Sequence, residues 1–150
     1  MDAHALFSNI REIRGELMRL EQREAYARLS MLPGAIRYDK DHVMSSPEDP
    51  MGKFAERISD LEERTRKRYD KLLNYNILAE QILYEMPTAK YRMLIELRYI
   101  EGGLEYRHSW EDVASIMGYD EHYIRVDMRR KAMEEAQEVL EKLPQTTTDL

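Results

Sequence analysis

The sequence predicts an all-α protein: a long coiled-coil helical hairpin followed by a C-terminal bundle built on a helix-turn-helix. Three observations carry this. The 150 residues are 35% charged and include only six glycines and five prolines, a composition that favours long helices. Two long stretches each carry one narrow apolar stripe at alternating steps of three and four. Near the C-terminus, Ala114, Gly118 and Ile124 are spaced as a tight crossing of two short helices requires.

The first helix is expected from about Ala3 to Met31. Its stripe is Leu6, Ile10, Ile13, Leu17, Leu20, Ala27 and Met31, broken once at Glu24, and charged residues fill the other faces. Leu32-Pro33-Gly34 ends it. A linker over about 32–51, with Pro47, Pro50 and several charges, reads either as a solvated hinge or as a segment docking Ile36, Tyr38 and Val43 on a helix or partner. A second helix follows from Met51 or Gly52 to about Met86, where Pro87 stops it. Its stripe runs Phe54, Ile58, Leu61, Thr65, Arg68, Leu72, Tyr75, Ala79, Ile82, Met86, with Thr65 and Arg68 as the weak middle. One narrow stripe cannot bury itself, so residues 1–86 read as a coiled-coil and oligomerisation region, paired within the chain and with a second copy.

Residues 87–144 form the second region. Thr88 is the expected N-cap of a helix carrying Leu94, Ile95, Leu97, Tyr99 and Ile100, broken at Glu101-Gly102-Gly103. After a polar connection from Leu104 to His108, Ser109 caps the next helix with Asp112 three residues on, in the capping-box spacing. Trp110 is expected to pack in the core. Gly118 is placed to take positive φ at the turn. Val113 and Ile116 supply apolar contacts, Asp120 caps the last helix, and that helix runs to about Leu143. Residues 145–150 are a polar, flexible tail.

Charge and composition exclude several classes. A net charge of −6 argues against a chain coated in basic residues for indiscriminate nucleic-acid binding. There are no cysteines, so no disulfide framework is possible. No apolar run is long enough for a membrane span and the N-terminus opens an amphipathic helix, so a soluble, cytoplasmic protein is expected. The histidines are too scattered for a ligand set, and Asp39, Asp41 and His42 are a weak one. No phosphate-cradling loop, nucleophile elbow or paired catalytic motif is present. A non-enzyme without cofactor or metal is expected. Tyr26, Tyr69, Tyr75 and Tyr84 on the long helices read as packing residues.

The candidate binding residues lie on the last helix. From Asp120, the side chains Glu121, His122, Arg125, Val126, Arg129 and Arg130 face outward, while Ile124, Met128 and Ala132 face inward at steps of four. Arg125 can engage guanine bidentately, His122 and Glu121 can read base edges, and Arg129, Arg130 and Lys131 can clamp phosphate. Ser109 at the start of the preceding helix belongs to the same surface. Between Asp120 and Ala132 there are three acids and four bases, so this helix is only weakly positive. Double-stranded DNA is the expected partner, with about 120–133 in the major groove.

Residues Arg92 to Tyr99, Gly102-Gly103, Trp110 to Ala114, Met117-Gly118 and Ile124 to Ala132 resemble the C-terminal, region-4 helix-turn-helix of sigma-70 factors, which reads an upstream promoter element. The whole chain resembles the RinA/ArpU-like late transcription regulators of phages and prophages, in which a coiled-coil region precedes a sigma-like unit. Leu32 to Asp41 and Ser46 to Asp49 also match the linker of that group. The connection Leu104 to His108 is longer than usual, and Asp120-Glu121 stand where sigma factors often carry Ser or Thr. Nothing resembles the sigma region that melts promoter DNA. The resemblance implies a sequence-specific DNA-binding transcription regulator in the bacterial host cytoplasm, dimeric through its long helices, and leaves direct contact with RNA polymerase open. Two alternatives are a small terminase-like DNA-packaging ring and a coiled-coil adapter that binds no DNA.

Overall fold

The computed structural model describes residues 1–30, 50–101 and 108–144. Most of the 32–51 linker, the connection from Leu104, the acidic set Asp39, Asp41 and His42, and the tail 145–150 therefore lie outside the described residues. All regular structure among the described residues is helical. The elements are α1 (Ala3–Leu29), α2 (Pro50–Glu85), α3 (Ala89–Ile95) continuing into a wide turn Glu96–Ile100, α4 (Trp110–Met117), and a last helix over 121–142 in which a wide segment Tyr123–Met128 leads into α5 (Arg129–Lys142). No described helix is long and apolar enough to cross a membrane.

The chain divides into two compact units, and the divisions fall inside α1 and α2 rather than at Pro87. The smaller unit is Glu16–Tyr69. Leu17 is fully buried in it, and Ala27, Ile58 and Leu61 form an apolar cluster with Leu20 and Phe54 packed against it. Residues late in α1 meet residues early in α2 and the reverse, so the two segments run antiparallel: Arg28 pairs with Glu62 at 2.7 Å, Arg68 with Glu16 at 2.9 Å, and the Tyr69 hydroxyl donates to Glu21. The weak middle of the α2 stripe is thereby accounted for. Arg68 reaches a carboxylate, and the Thr65 hydroxyl donates back to the Leu61 carbonyl at 2.8 Å. Pro50 is the first helical residue, where its missing N–H costs nothing. Tyr75 is buried, but Tyr26 and Tyr84 are largely exposed and do not pack as expected.

The larger unit is Met1–Gly15 with Asp70–Leu150. Phe7, Leu6, Ile10, Ile82, Met86, Leu94, Ile95, Val113, Ile124 and Met128 are all fully buried in it. Each such side chain contributes about 1.5–3 kcal/mol by leaving water. An aromatic series runs through this core: Phe7 lies 6.1 Å from Tyr99, which meets Trp110 edge-on at 6.5 Å. Pro87 ends α2, and the Met86 carbonyl left open accepts from Arg92 Nη1 at 2.6 Å.

Thr88 occupies the N-cap position of α3 in an extended conformation but does not cap it. Its N–H and hydroxyl both donate to the Glu135 carboxylate on α5, at 3.0 and 2.7 Å. A charged acceptor makes the stronger hydrogen bond and outcompetes the local cap.

The wide segments follow π-type bonding, with N–H groups reaching five residues back. Glu101 N–H donates to the Glu96 carbonyl at 2.6 Å, and Arg129 N–H to that of Ile124. The apolar period explains the second one. Ile124, Met128, Ala132, Ala136 and Leu140 are all buried and recur every four residues. In a regular helix each step of four drifts about 40°, because a turn takes 3.6 residues. A segment with more residues per turn brings the stripe back toward the core.

Candidate nucleic-acid interface

The expected surface is built by α4 and the helix that follows. The α4 N-terminus carries a complete capping box: Ser109 Oγ accepts from the Asp112 N–H and the Ser109 N–H donates to Asp112 Oδ2, both at 3.1 Å. At the other end Gly118 has φ +77°, the left-handed conformation, and its N–H donates to the Ala114 carbonyl at 2.8 Å. A Cβ there would meet nothing within 4 Å, so glycine is favoured by backbone conformation and not by crowding. Asp120 then caps the next helix by accepting from the Tyr123 N–H at 3.3 Å.

Val113 and Ala114 are buried on the side of α4 that packs against the wide segment Tyr123–Met128, where Ile124 is fully buried. The small Ala114 side chain permits that close crossing. Ile116 does not share this face and is 49% exposed. Two residues along a helix turn about 200°, so Ile116 points away from Ala114.

Of the expected binding residues, Ser109, His122, Arg125, Val126, Arg130 and Lys131 are exposed, while Glu121 and Arg129 are half-buried. Arg125 Nη1 lies 3.8 Å from Glu121 Oε1, one helical turn earlier. The Arg129 guanidinium sits 6.0 Å from the centre of the Trp110 ring, and Arg98 lies over the same ring at 4.4 Å. Trp110 therefore works as a partly exposed platform for two guanidinium groups rather than as a fully buried core residue.

That platform is tied down from several directions. Arg98 Nη1 donates to the His108 carbonyl at 2.9 Å, and Arg11 Nη1 donates to the Arg98 carbonyl at 2.7 Å. Burial, reinforced by the nearby Arg129 charge, holds the Arg98 guanidinium below its usual value. Burial pushes the Tyr99 phenol up, against the opposing pull of Arg129, Arg98 and Arg11. These contacts hold α4 and the last helix in one arrangement.

An open groove of about 980 Å³ borders the basic residues. Arg125, Val126, Arg129 and Arg130 form one side, and Asp2 and His4, from the start of α1, also line it. The α1 terminus is fixed there by the Ala3 N–H, which donates to Gln137 Oε1 on α5 at 2.8 Å. In the sequence His4 is only one of four scattered histidines. No local signal could have placed it beside Arg129, because the link spans most of the chain. Glu134 and Glu138 also line the groove, which keeps its charge nearly balanced. No set of three or more potential metal ligands occurs among the described residues.

Comparison with protein-family models, curated proteins and solved structures returned no match.

Proposed function

We propose that this protein is a sequence-specific DNA-binding transcription regulator of phage or prophage origin. In this reading α4, the Gly118 turn and the following helix form a sigma-like helix-turn-helix, and residues about 120–133 enter the major groove. In the same reading the antiparallel segments of α1 and α2 form a coiled-coil hairpin. The single observation that carries the reading is the Ala114–Gly118–Ile124 frame. Ala114 and Ile124 are both buried, on two helical segments that pack against each other, and Gly118 makes the left-handed turn between them. The outward residues supply chemistry for both parts of recognition.

Arg125 and His122 reach toward base edges, and Arg130 and Lys131 reach toward phosphate. Arg129 has a divided role, because its stacking on Trp110 fixes the helix while its edge faces the groove. Arg125→Ala is expected to relax preference at one base position, at a cost of about 1–3 kcal/mol. Arg130→Ala should weaken binding to all sequences alike and flatten the salt dependence. Selection on random duplexes followed by mobility shifts across a salt series tests both. An absence of DNA binding at low salt sinks the proposal and leaves the protein-adapter reading.

A further inference from the structure

The antiparallel segments of α1 and α2 in the smaller unit have two unlike flanks. Along one, complementary groups meet: Arg28 pairs with Glu24 and Glu62, and Tyr69 donates to Glu21. Along the other, Arg19 and Arg23 of α1 and Arg57 of α2 line one groove of about 650 Å³. Arg64 stands seven residues after Arg57, a spacing that keeps both on one side of a helix. The register set by Arg28–Glu62 and Glu21–Tyr69 brings Arg64 level with the turn from Arg23 to Tyr26. All four arginines are exposed, and none has an ion pair or hydrogen bond among the described residues. Glu16, on the same stripe of α1, is taken by Arg68 at 2.9 Å. Asp60, turned about 60° from Arg57 around the helix, pairs with neither Arg57 nor Arg64. A helix pair stabilised by matched charges on one flank gains nothing from four like charges on the other.

The groove among these cations also has an apolar floor. Ala27 and Leu61, 8% and 9% exposed, lie at its base, and Tyr26, 77% exposed, stands at its edge. A phosphate backbone has no group to set on such a floor, and a duplex is too wide to enter the groove. A stretch of acidic polypeptide carrying one apolar side chain answers both the floor and the charges. We propose that this groove binds such a segment of a partner protein. Its aromatic or branched side chain lies over Ala27 and Leu61 beside the Tyr26 ring, and the carboxylates on either side of it face Arg19, Arg23, Arg57 and Arg64. Arginine suits the task, because its planar fork takes a carboxylate through two parallel hydrogen bonds. A rigid, exposed tyrosine is a common anchor surface in protein recognition. The one-signed charge of the flank steers an acidic partner to the groove and repels a basic one. The site lies wholly within the smaller unit and is separate from the recognition surface, so it stands whether or not the DNA reading does.

Selection of short random peptides displayed on phage, with the full chain as bait, followed by fluorescence anisotropy of the enriched peptides, tests the proposal. The enriched peptides are expected to combine Asp or Glu with an aromatic or aliphatic residue, and to bind more weakly as salt rises. Arg23→Glu and Arg57→Glu should each weaken that binding by about tenfold, because each turns an attraction into a repulsion. Tyr26→Ala leaves the charge unchanged and should still weaken it by about threefold to tenfold, through loss of the anchor surface. All three positions are exposed, and circular dichroism with a thermal melt checks that each variant keeps the helix pair. Failure to enrich acidic peptides overturns the proposal, as does binding that is indifferent to Arg23→Glu and Arg57→Glu. Loss with the charge reversals but not with Tyr26→Ala overturns the apolar anchor and leaves a merely electrostatic surface. A DNA duplex or inorganic phosphate that displaces the peptide, with the same dependence on Arg23 and Arg57, overturns it in favour of phosphate binding. Failure of the DNA reading is distinguishable, because Arg125→Ala leaves peptide affinity unchanged while Arg57→Glu leaves base preference unchanged.

Discussion

The two units of this chain are held together by different means. The larger one buries wide side chains from every element it contains, with Phe7, Ile82, Leu94, Ile124 and Met128 fully removed from water. The smaller one buries Leu17 fully and has further apolar contacts at Ala27, Ile58 and Leu61, but much of its length is joined by exposed ion pairs such as Arg28–Glu62 and Arg68–Glu16. Exposed pairs of this kind contribute little each. One unit is therefore set mainly by volume, and the other depends more on register. Register aligns two helices cheaply but resists unfolding poorly, and so the smaller unit should open first.

The sharpest way to break this contrast is to remove equivalent bulk from each unit. Phe7→Ala should cost about 3–5 kcal/mol and unfold the larger unit cooperatively. Leu61→Ala should cost only about 2 kcal/mol, because a two-helix contact can collapse into the space. Urea titration followed by hydrogen exchange on each unit checks this. Equal losses would mean that the two are not distinct in kind.

Within the larger unit, the two ends of α4 allow a finer comparison. Gly118→Ala forces a side chain into φ +77° with no compensating clash to relieve, and should cost about 1–2 kcal/mol. Ser109→Ala removes one half of the capping box and should cost about 1 kcal/mol. Thermal melts of the two variants rank them, and a larger loss at Ser109 would contradict the backbone account of the turn.

The smallest effect belongs to the smaller unit and appears at high pH. The Tyr69 phenol donates to Glu21, which holds its proton and pushes its value up to about 12 from an ordinary 10. The folded value lies above the unfolded one, so the stabilisation is complete below pH 10 and fades as pH rises toward 12. Tyr69 is 41% exposed, and screening limits the effect to about 0.5 kcal/mol. Tyr69→Phe should flatten the alkaline limb of stability against pH; an unchanged limb would remove the bond from the account.

Much of this was legible in the sequence because it is periodic or local. The α2 stripe from Ile58 to Met86, the capping box at Ser109 and the turn at Gly118 each depend on neighbours within a few residues. What was not legible depends on competition between distant partners. Thr88 looks like a cap until Glu135, on another helix, offers a better acceptor. Ile116 looks like core until the packed side of α4 is known. The first turn of α1 carries no sign that its amide will bond Gln137, or that His4 will share a groove with Arg129. The candidate surface was therefore readable as a set of residues, and only its tethering through Trp110, Arg98 and Arg11 required the fold.

The wide segment at Tyr123–Met128 has a consequence for how the last helix can change. A turn that bonds five residues back holds one residue more than a regular turn needs. Deleting a single residue there would let the helix return to ordinary winding while both of its ends keep their faces toward the core. An insertion would have no such slack to use. Arg125 and Val126 sit in this stretch of surplus chain, exposed and without a packing duty. The outward face of the helix is thus the part that can be shortened by a residue or rewritten while the buried stripe toward Leu140 stays in phase.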